Sequence, residues 1–343
     1  MHKLFFNIQA KMIDIGVKMI LPLEPKLKVG IQTIHREPDN QTGPWQPQID
    51  ELVDFVTLID KTGFDSIWVG DHLSMPLPFF DPFQMLAQAA VVSRRLLLGT
   101  GVYLLPLRHP GPVAKQVATL DHLSEGRFLF GVGIGGEFPK EYEVAGVPIS
   151  ERGARLSESI EVVRELWKGK PASYNGKFFQ FSDVLMTPPP RQNGGPPIWC
   201  GGRKDPAFRR MGRLADGYVS YVVTPEMYSE ALTKIADEAD TCKRTISLFG
   251  TGHLIFTRVD DSYELALEEA TNSLSKRYNM DFRKAAERYA ALGSANDVAK
   301  KIKDFYDVGV RHIIVDLVGP YERRVEQVER FGSEVLPLLE TLR

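Results

Sequence analysis

A (β/α)8 TIM barrel is the fold class this sequence predicts, with insertions after strands four and seven. Three observations predict it. Short apolar runs alternate with helical patterns along the whole chain, eight such runs can be placed, and glycines gather where the runs end. The stretch from Leu96 to Gly136 shows all three. Leu96 to Leu98 reads as a buried strand closing in Gly99 and Gly101. Pro110 and Pro112 open a helix with Val113, Val117, Leu120 and Leu123 on one face. Phe128 to Val132 is the next strand, ending among Gly131, Gly133, Gly135 and Gly136. Glycine at neighbouring strand ends lets backbone approach a ligand, on the side where α/β proteins bind them.

The other elements follow in order. Lys28 to Thr33 is strand one, and Ile49 to Lys61 is a helix burying Leu52, Val53, Val56 and Ile59. Ser66 to Val69 is strand two, ending Gly70-Asp71-His72, and Pro82 to Val92 is the next helix. Ser150, as N-cap, starts a helix to Lys168. From Pro171 to Pro197 the pattern breaks into a small hairpin around KFFQF and a Pro/Gly-rich run, an insertion after strand four. Ile198 to Cys200 is strand five, Pro206 to Leu214 a helix, Gly217 to Val222 strand six, and Glu226 to Asp240 a helix. Ile246 to Thr257 is strand seven, and Ser262 to Ala291 adds helices as the second insertion. Ser294 to Tyr306 is a helix, Ile313 to Leu317 strand eight, and Tyr321 to Leu339 closes the chain. Residues 1–26 read as an N-terminal extension, and 27–343 as one barrel domain; Met12 or Met19 is an equally good start.

Composition narrows the function. With 42 basic against 44 acidic residues the formal charge is −2, so no bulk field draws the chain to nucleic acid or an anionic membrane. No apolar run reaches membrane-spanning length, and the N-terminus lacks a signal-peptide pattern. Two cysteines, Cys200 and Cys242, suit a reduced, cytoplasmic setting and build neither a disulfide framework nor a metal cluster. No HxH or HExxH spacing appears, so no metal is expected.

In such a barrel the working face lies at the C-terminal strand ends. Those ends carry Gln32, Asp71-His72, Thr100-Gly101-Val102, Gly133 to Glu137, Gly201-Gly202-Arg203, Ser220-Tyr221, His253 and Asp316. His72 suits proton transfer or a hydrogen bond to a ligand, against the plainer reading of a histidine tying its loop to a carbonyl. Gly201-Gly202 ahead of a helix suits phosphate, with Arg203 adding charge, against the plainer reading of a tight turn. Gly133-x-Gly135-Gly136 lacks the acidic partner of a Rossmann site. Cys200 reads as packing. Arg209, Arg210 and Arg213 read as a solvated helix face, and His109 and His122 as caps or surface.

The runs ATLDHLSEGRFLFGVGIGG, GVPISERGARLSESIEVVRELW, PPIWCGG and LADGY, in that order, resemble the luciferase-like monooxygenase superfamily. More narrowly they resemble its branch that uses the deazaflavin coenzyme F-420. The resemblance covers about Lys26 to the C-terminus. It implies a flavin-type ring at the C-terminal face, a small organic substrate and a homodimer. Asp71 and His72 match the pair bordering the ring, and Gly101-Val102 the segment that often holds a non-proline cis peptide, with Thr100 beside it. Gly133 matches a glycine close to the cofactor, and Gly201 and Gly202 the phosphate turn. Two departures matter. Gly153 stands where FMN-binding members commonly have a phosphate-binding tyrosine, which weighs towards F-420. Ile134 stands where the sugar-phosphate dehydrogenases carry an acid, which weighs against that activity and leaves Glu137 as the nearby carboxylate. The expectation is F-420-dependent hydride transfer with His72 catalytic. The alternatives are a monooxygenase using reduced FMN and oxygen, and a non-catalytic flavin-binding barrel.

Overall fold

Eight parallel strands close on themselves in the computed structural model, which describes residues 21–33, 48–75 and 77–343. The strands are β1 (Lys28–Gln32), β2 (Ser66–Val69), β3 (Leu97–Thr100), β4 (Phe128–Val132), β7 (Ile198–Gly201), β8 (Gly217–Tyr221), β9 (Gly250–Val259) and β11 (His312–Leu317). Each pairs in parallel with the next, and β11 pairs back onto β1 with Lys28 opposite His312, so the sheet has no free edge in the ring. The numbers left over belong to the insertions. β5 (Ala172–Asn175) and β6 (Gln180–Val184) form a separate antiparallel hairpin after β4. β10 (Ala291–Gly293) adds a short parallel strand to β9.

Helices alternate with the strands: α1 (Ile49–Lys61), α2 (Pro82–Val92), α3 (Pro110–Leu123), α4 (Lys140–Val144), α5 (Arg152–Leu166), α6 (Asp205–Leu214) and α7 (Pro225–Thr241). They continue with α8 (Tyr263–Tyr278), α9 (Arg283–Tyr289), α10 (Ala295–Asp307) and α11 (Arg324–Arg330). Several starts are set by side-chain chemistry visible in the sequence. Asp81 accepts from the Phe83 and Gln84 amides ahead of α2, and Ser294 with Asp297 closes a reciprocal cap on α10.

The barrel axis is filled by two tryptophans. Trp68 and Trp199 lie with ring centroids 5.8 Å apart, packed with Val219 and Ile314. Their bulk explains several strand glycines. A Cβ on Gly99 would stand 2.3 Å from the Trp68 ring, and one on Gly250 would stand 2.2 Å from Trp199. Glycine inside these strands therefore makes room for packing, not for a ligand.

Three expectations are corrected. Ser150 does not cap α5; it lies in a 3-10 turn (Ile149–Glu151), and the helix begins at Arg152 without a side-chain cap. Strand seven begins at Gly250, because pairing with β8 starts there and the Phe249 amide is spent on the Pro22 carbonyl. Arg210 is buried in place of being solvated, donating to the Ser157 hydroxyl and the Gly153 carbonyl. Residues 21–26 pack on the barrel, with Leu21 buried and the Pro25 carbonyl accepting from Tyr306. The remainder of the expected extension, 1–20, lies outside the described residues.

Candidate active site

Strand alternation decides which residues face the barrel mouth. Trp68, Gly99, Trp199, Val219 and Ile314 are on the inner side, so the next inward positions are Gly70, Gly101, Gly201, Tyr221 and Asp316. Gln32 ends β1 between them, and Gly133 takes the corresponding place after β4. The rim is thus lopsided. At this level the inward positions of four neighbouring strands, β2, β3, β4 and β7, are glycines, while those of β8, β9 and β11 are Tyr221, Phe256 and Asp316.

The glycine half has a defined floor. A Cβ on Gly101 would meet Gln32 Oε1 at 3.1 Å, and one on Gly70 would meet Gln32 Nε2 at 3.0 Å. A Cβ on Gly133 would stand 2.5 Å from the Val102 side chain, which also lies against Gly201. The Gly101–Val102 peptide is cis, as the resemblance implied. Thr100 is fully buried, and its hydroxyl donates to the Gly131 carbonyl at 2.7 Å. Gln32 is buried, and its Oε1 has no partner among the described residues. An amide oxygen left without a donor beside a side-chain-free shelf is an acceptor suited to a ligand N–H.

His72 stands at the edge of this shelf. Its Nδ1 is 3.0 Å from Glu141 Oε1, and the same oxygen accepts from the Leu73 and Ser74 amides at 2.7 and 3.3 Å. Phe79 and Phe138 meet the imidazole edge-on at 5.0 and 5.4 Å. The ring is therefore fixed from three sides, with Nε2 as its other polar atom. Burial pushes the Glu141 carboxyl up. The hydrogen bond and charge of His72, with the two amides, outweigh burial and hold it below the ordinary range.

Asp71 is turned away from solvent into an ion pair. Arg108 donates to both of its oxygens, and the Leu104 amide donates to Oδ2 at 2.8 Å. Burial keeps the Asp71 carboxyl above its usual value despite Arg108. Arg108 also lies over the Tyr103 ring at 4.5 Å. The pair welds the loop after β2 to the loop after β3, and so fixes His72 relative to Gly101.

Gly201 ends β7 and Gly202 follows it, but α6 starts only at Asp205, with Arg203 and Lys204 between. Gly202 has φ +150°, and a Cβ there would stand 2.4 Å from Ala207. Arg203 covers the Tyr221 ring at 4.7 Å and lies 3.8 Å from Glu137. Two of the expected strand-end residues are not at the mouth as drawn from sequence. His253 lies inside β9, buried, with Nδ1 2.8 Å from the Ser220 hydroxyl, and Ser220 faces outward with it. Cys200 is buried packing, and His109 and His122 cap and border α3, as expected.

Sequence reasoning missed Glu141 and Arg108. Glu141 falls in KEYEV, where three of five residues are charged, a pattern that reads as a solvated face. Arg108 precedes a helix cap, and only its partner Asp71 gave a signal.

The molecule is therefore a (β/α)8 barrel with a glycine-lined, histidine-flanked mouth at the C-terminal strand ends. The luciferase-like monooxygenase family model matches residues 27–333, and the chain belongs to that family. It is 28% identical to an F-420-dependent glucose-6-phosphate dehydrogenase of Microbacterium testaceum, over 89% of this chain and 96% of that one. It is 35% identical to the oxygenase component of a flavin-dependent trigonelline monooxygenase of Acinetobacter baylyi, over 89% and 93%. The crystal structure of monooxygenase RslO1 from Streptomyces bottropensis superposes with TM-score 0.78 at 23% identity, covering 91% of this chain and 99% of that one. Among the described residues no helix is long and apolar enough to cross a membrane, and no cluster of potential metal ligands is present.

Proposed function

We propose that the protein is an F-420-dependent oxidoreductase that moves a hydride between the deazaflavin ring and a small organic substrate. The observation that carries this is His72, locked by buried Glu141 beside a glycine shelf on which Gln32 Oε1, a buried acceptor, has no donor among the described residues. The bound cofactor supplies the hydride chemistry; the protein supplies orientation and a dry pocket. With the ring bound, Gln32 would accept one of its N–H groups. The backbone at Gly101, Val102 and Gly133 would support it, with Thr100 fixing β3 to β4 beneath. Gly201 and Gly202 would hold its phosphate, Asp71 holds the shelf together through Arg108, and His72 would hold or move a proton through Nε2. A homodimer in a reduced cytoplasm completes the reading.

A second reading is favoured by the 35% identity to a flavin-dependent monooxygenase component. In it reduced FMN and oxygen take the place of F-420, on the same shelf. Titrating the cofactor-free protein with each coenzyme separates the two. The F-420 reading expects micromolar F-420 binding and weaker FMN binding; micromolar FMN binding without F-420 binding reverses the assignment.

A further inference from the structure

The half of the mouth without glycines carries information about the substrate. Val219 and Ile314 pack on the inner tryptophans, so Tyr221 and Asp316, two residues on, also face inward, and Phe256 is level with Asp316 by register. Around the ring β8 lies four strands from β2, which puts Tyr221 across the mouth from His72. We propose that this wall selects a substrate whose entering end is uncharged and bears oxygen, and that it turns away phosphorylated or carboxylated molecules. The inference rests on the reading of the shelf as the cofactor side.

The charges of the wall are already paired with one another. Arg277 Nη1 is 2.7 Å from Asp316 Oδ2, with side chains only 15% and 10% exposed. Arg203 lies 3.8 Å from Glu137, whose carboxylate also accepts the Tyr221 hydroxyl. Two guanidinium groups therefore face two carboxylates among the described residues. An anionic substrate would have to draw Arg277 off Asp316 and leave a buried carboxylate without its partner, which is costly. Burial, reinforced by Glu137, holds the Tyr221 phenol well above its ordinary range, so it keeps its proton, and that proton is given to Glu137. Towards a substrate its oxygen is left as an acceptor, and a neutral hydroxyl group is the partner such an acceptor takes.

Inorganic phosphate is the probe. Calorimetric titration of the full chain, with and without bound F-420, is expected to show no phosphate binding tighter than about 10 mM that depends on Arg277. Releasing the buried guanidinium should create what the wild type lacks: Asp316→Asn should tighten phosphate binding at least about tenfold, with F-420 bound as without it. Wild-type binding tighter than about 10 mM that Arg277→Met abolishes would overturn the inference, as would a folded Asp316→Asn variant with no gain. Failure of the chain to take up F-420 would count against the cofactor reading alone, because the cofactor-free titration still reports on the wall.

Discussion

At the scale of single residues, the pair His72–Glu141 separates positioning from packing. Glu141→Gln keeps the acceptor for His72, Leu73 and Ser74 and removes only the charge. Turnover should fall about tenfold or more while cofactor affinity stays unchanged, and Glu141→Asp should restore part of it. Equal loss of cofactor binding would make Glu141 a structural residue. His72→Ala should lower turnover about a hundredfold with the fold intact, read by kcat beside circular dichroism; unchanged turnover removes it from the chemistry. Two other histidines act on stability. Burial pushes His253 and His312 down to about 3 from the ordinary 6.5. Between those values the unfolded chain binds protons that the native chain refuses, so stability falls as pH falls. Each contributes a slope of about 1.4 kcal/mol per pH unit. Urea unfolding from pH 6 to pH 4.5 should show this, and His312→Gln should flatten it; an unchanged slope would mean that His312 is protonated in the native state. His72 was legible because it follows a strand end. Glu141 was not, because a buried carboxylate reached through a long-range fold looks like any surface glutamate in sequence.

At the scale of elements, the tightest constraint is between strand glycines and the axial tryptophans. Gly99→Ala places a methyl 2.3 Å from the Trp68 ring. It should destabilise by about 1–3 kcal/mol, seen as a lower urea midpoint with an unchanged slope. A neutral effect would show that Trp68 can move. α1, α2, α3 and β4 have the bounds their patterns predict, since proline, glycine and cap residues mark them locally. β9 does not. Ile246 and Leu248 look like strand, yet the register with β8 fixes the start at Gly250. The same non-local cause moved His253 from an expected mouth position into the wall. The KFFQF hairpin was legible as a break in pattern, although Phe178 and Phe179 fall in its turn and not in a strand.

At the scale of the whole molecule, eight strands and their helices were countable from the sequence, but closure was not. Only the pairing of β11 with β1 establishes it. Closure then explains the lopsided mouth, because it sets the glycine ends of β2, β3, β4 and β7 opposite Tyr221, Phe256 and Asp316. The most direct test is a crystal structure of the protein soaked with F-420. The ring should lie along Gly101 and Gly133, beside His72, with an N–H of its pyrimidine edge on Gln32 Oε1. A ring bound elsewhere, or one leaving the Gln32 oxygen without a donor, would contradict the account.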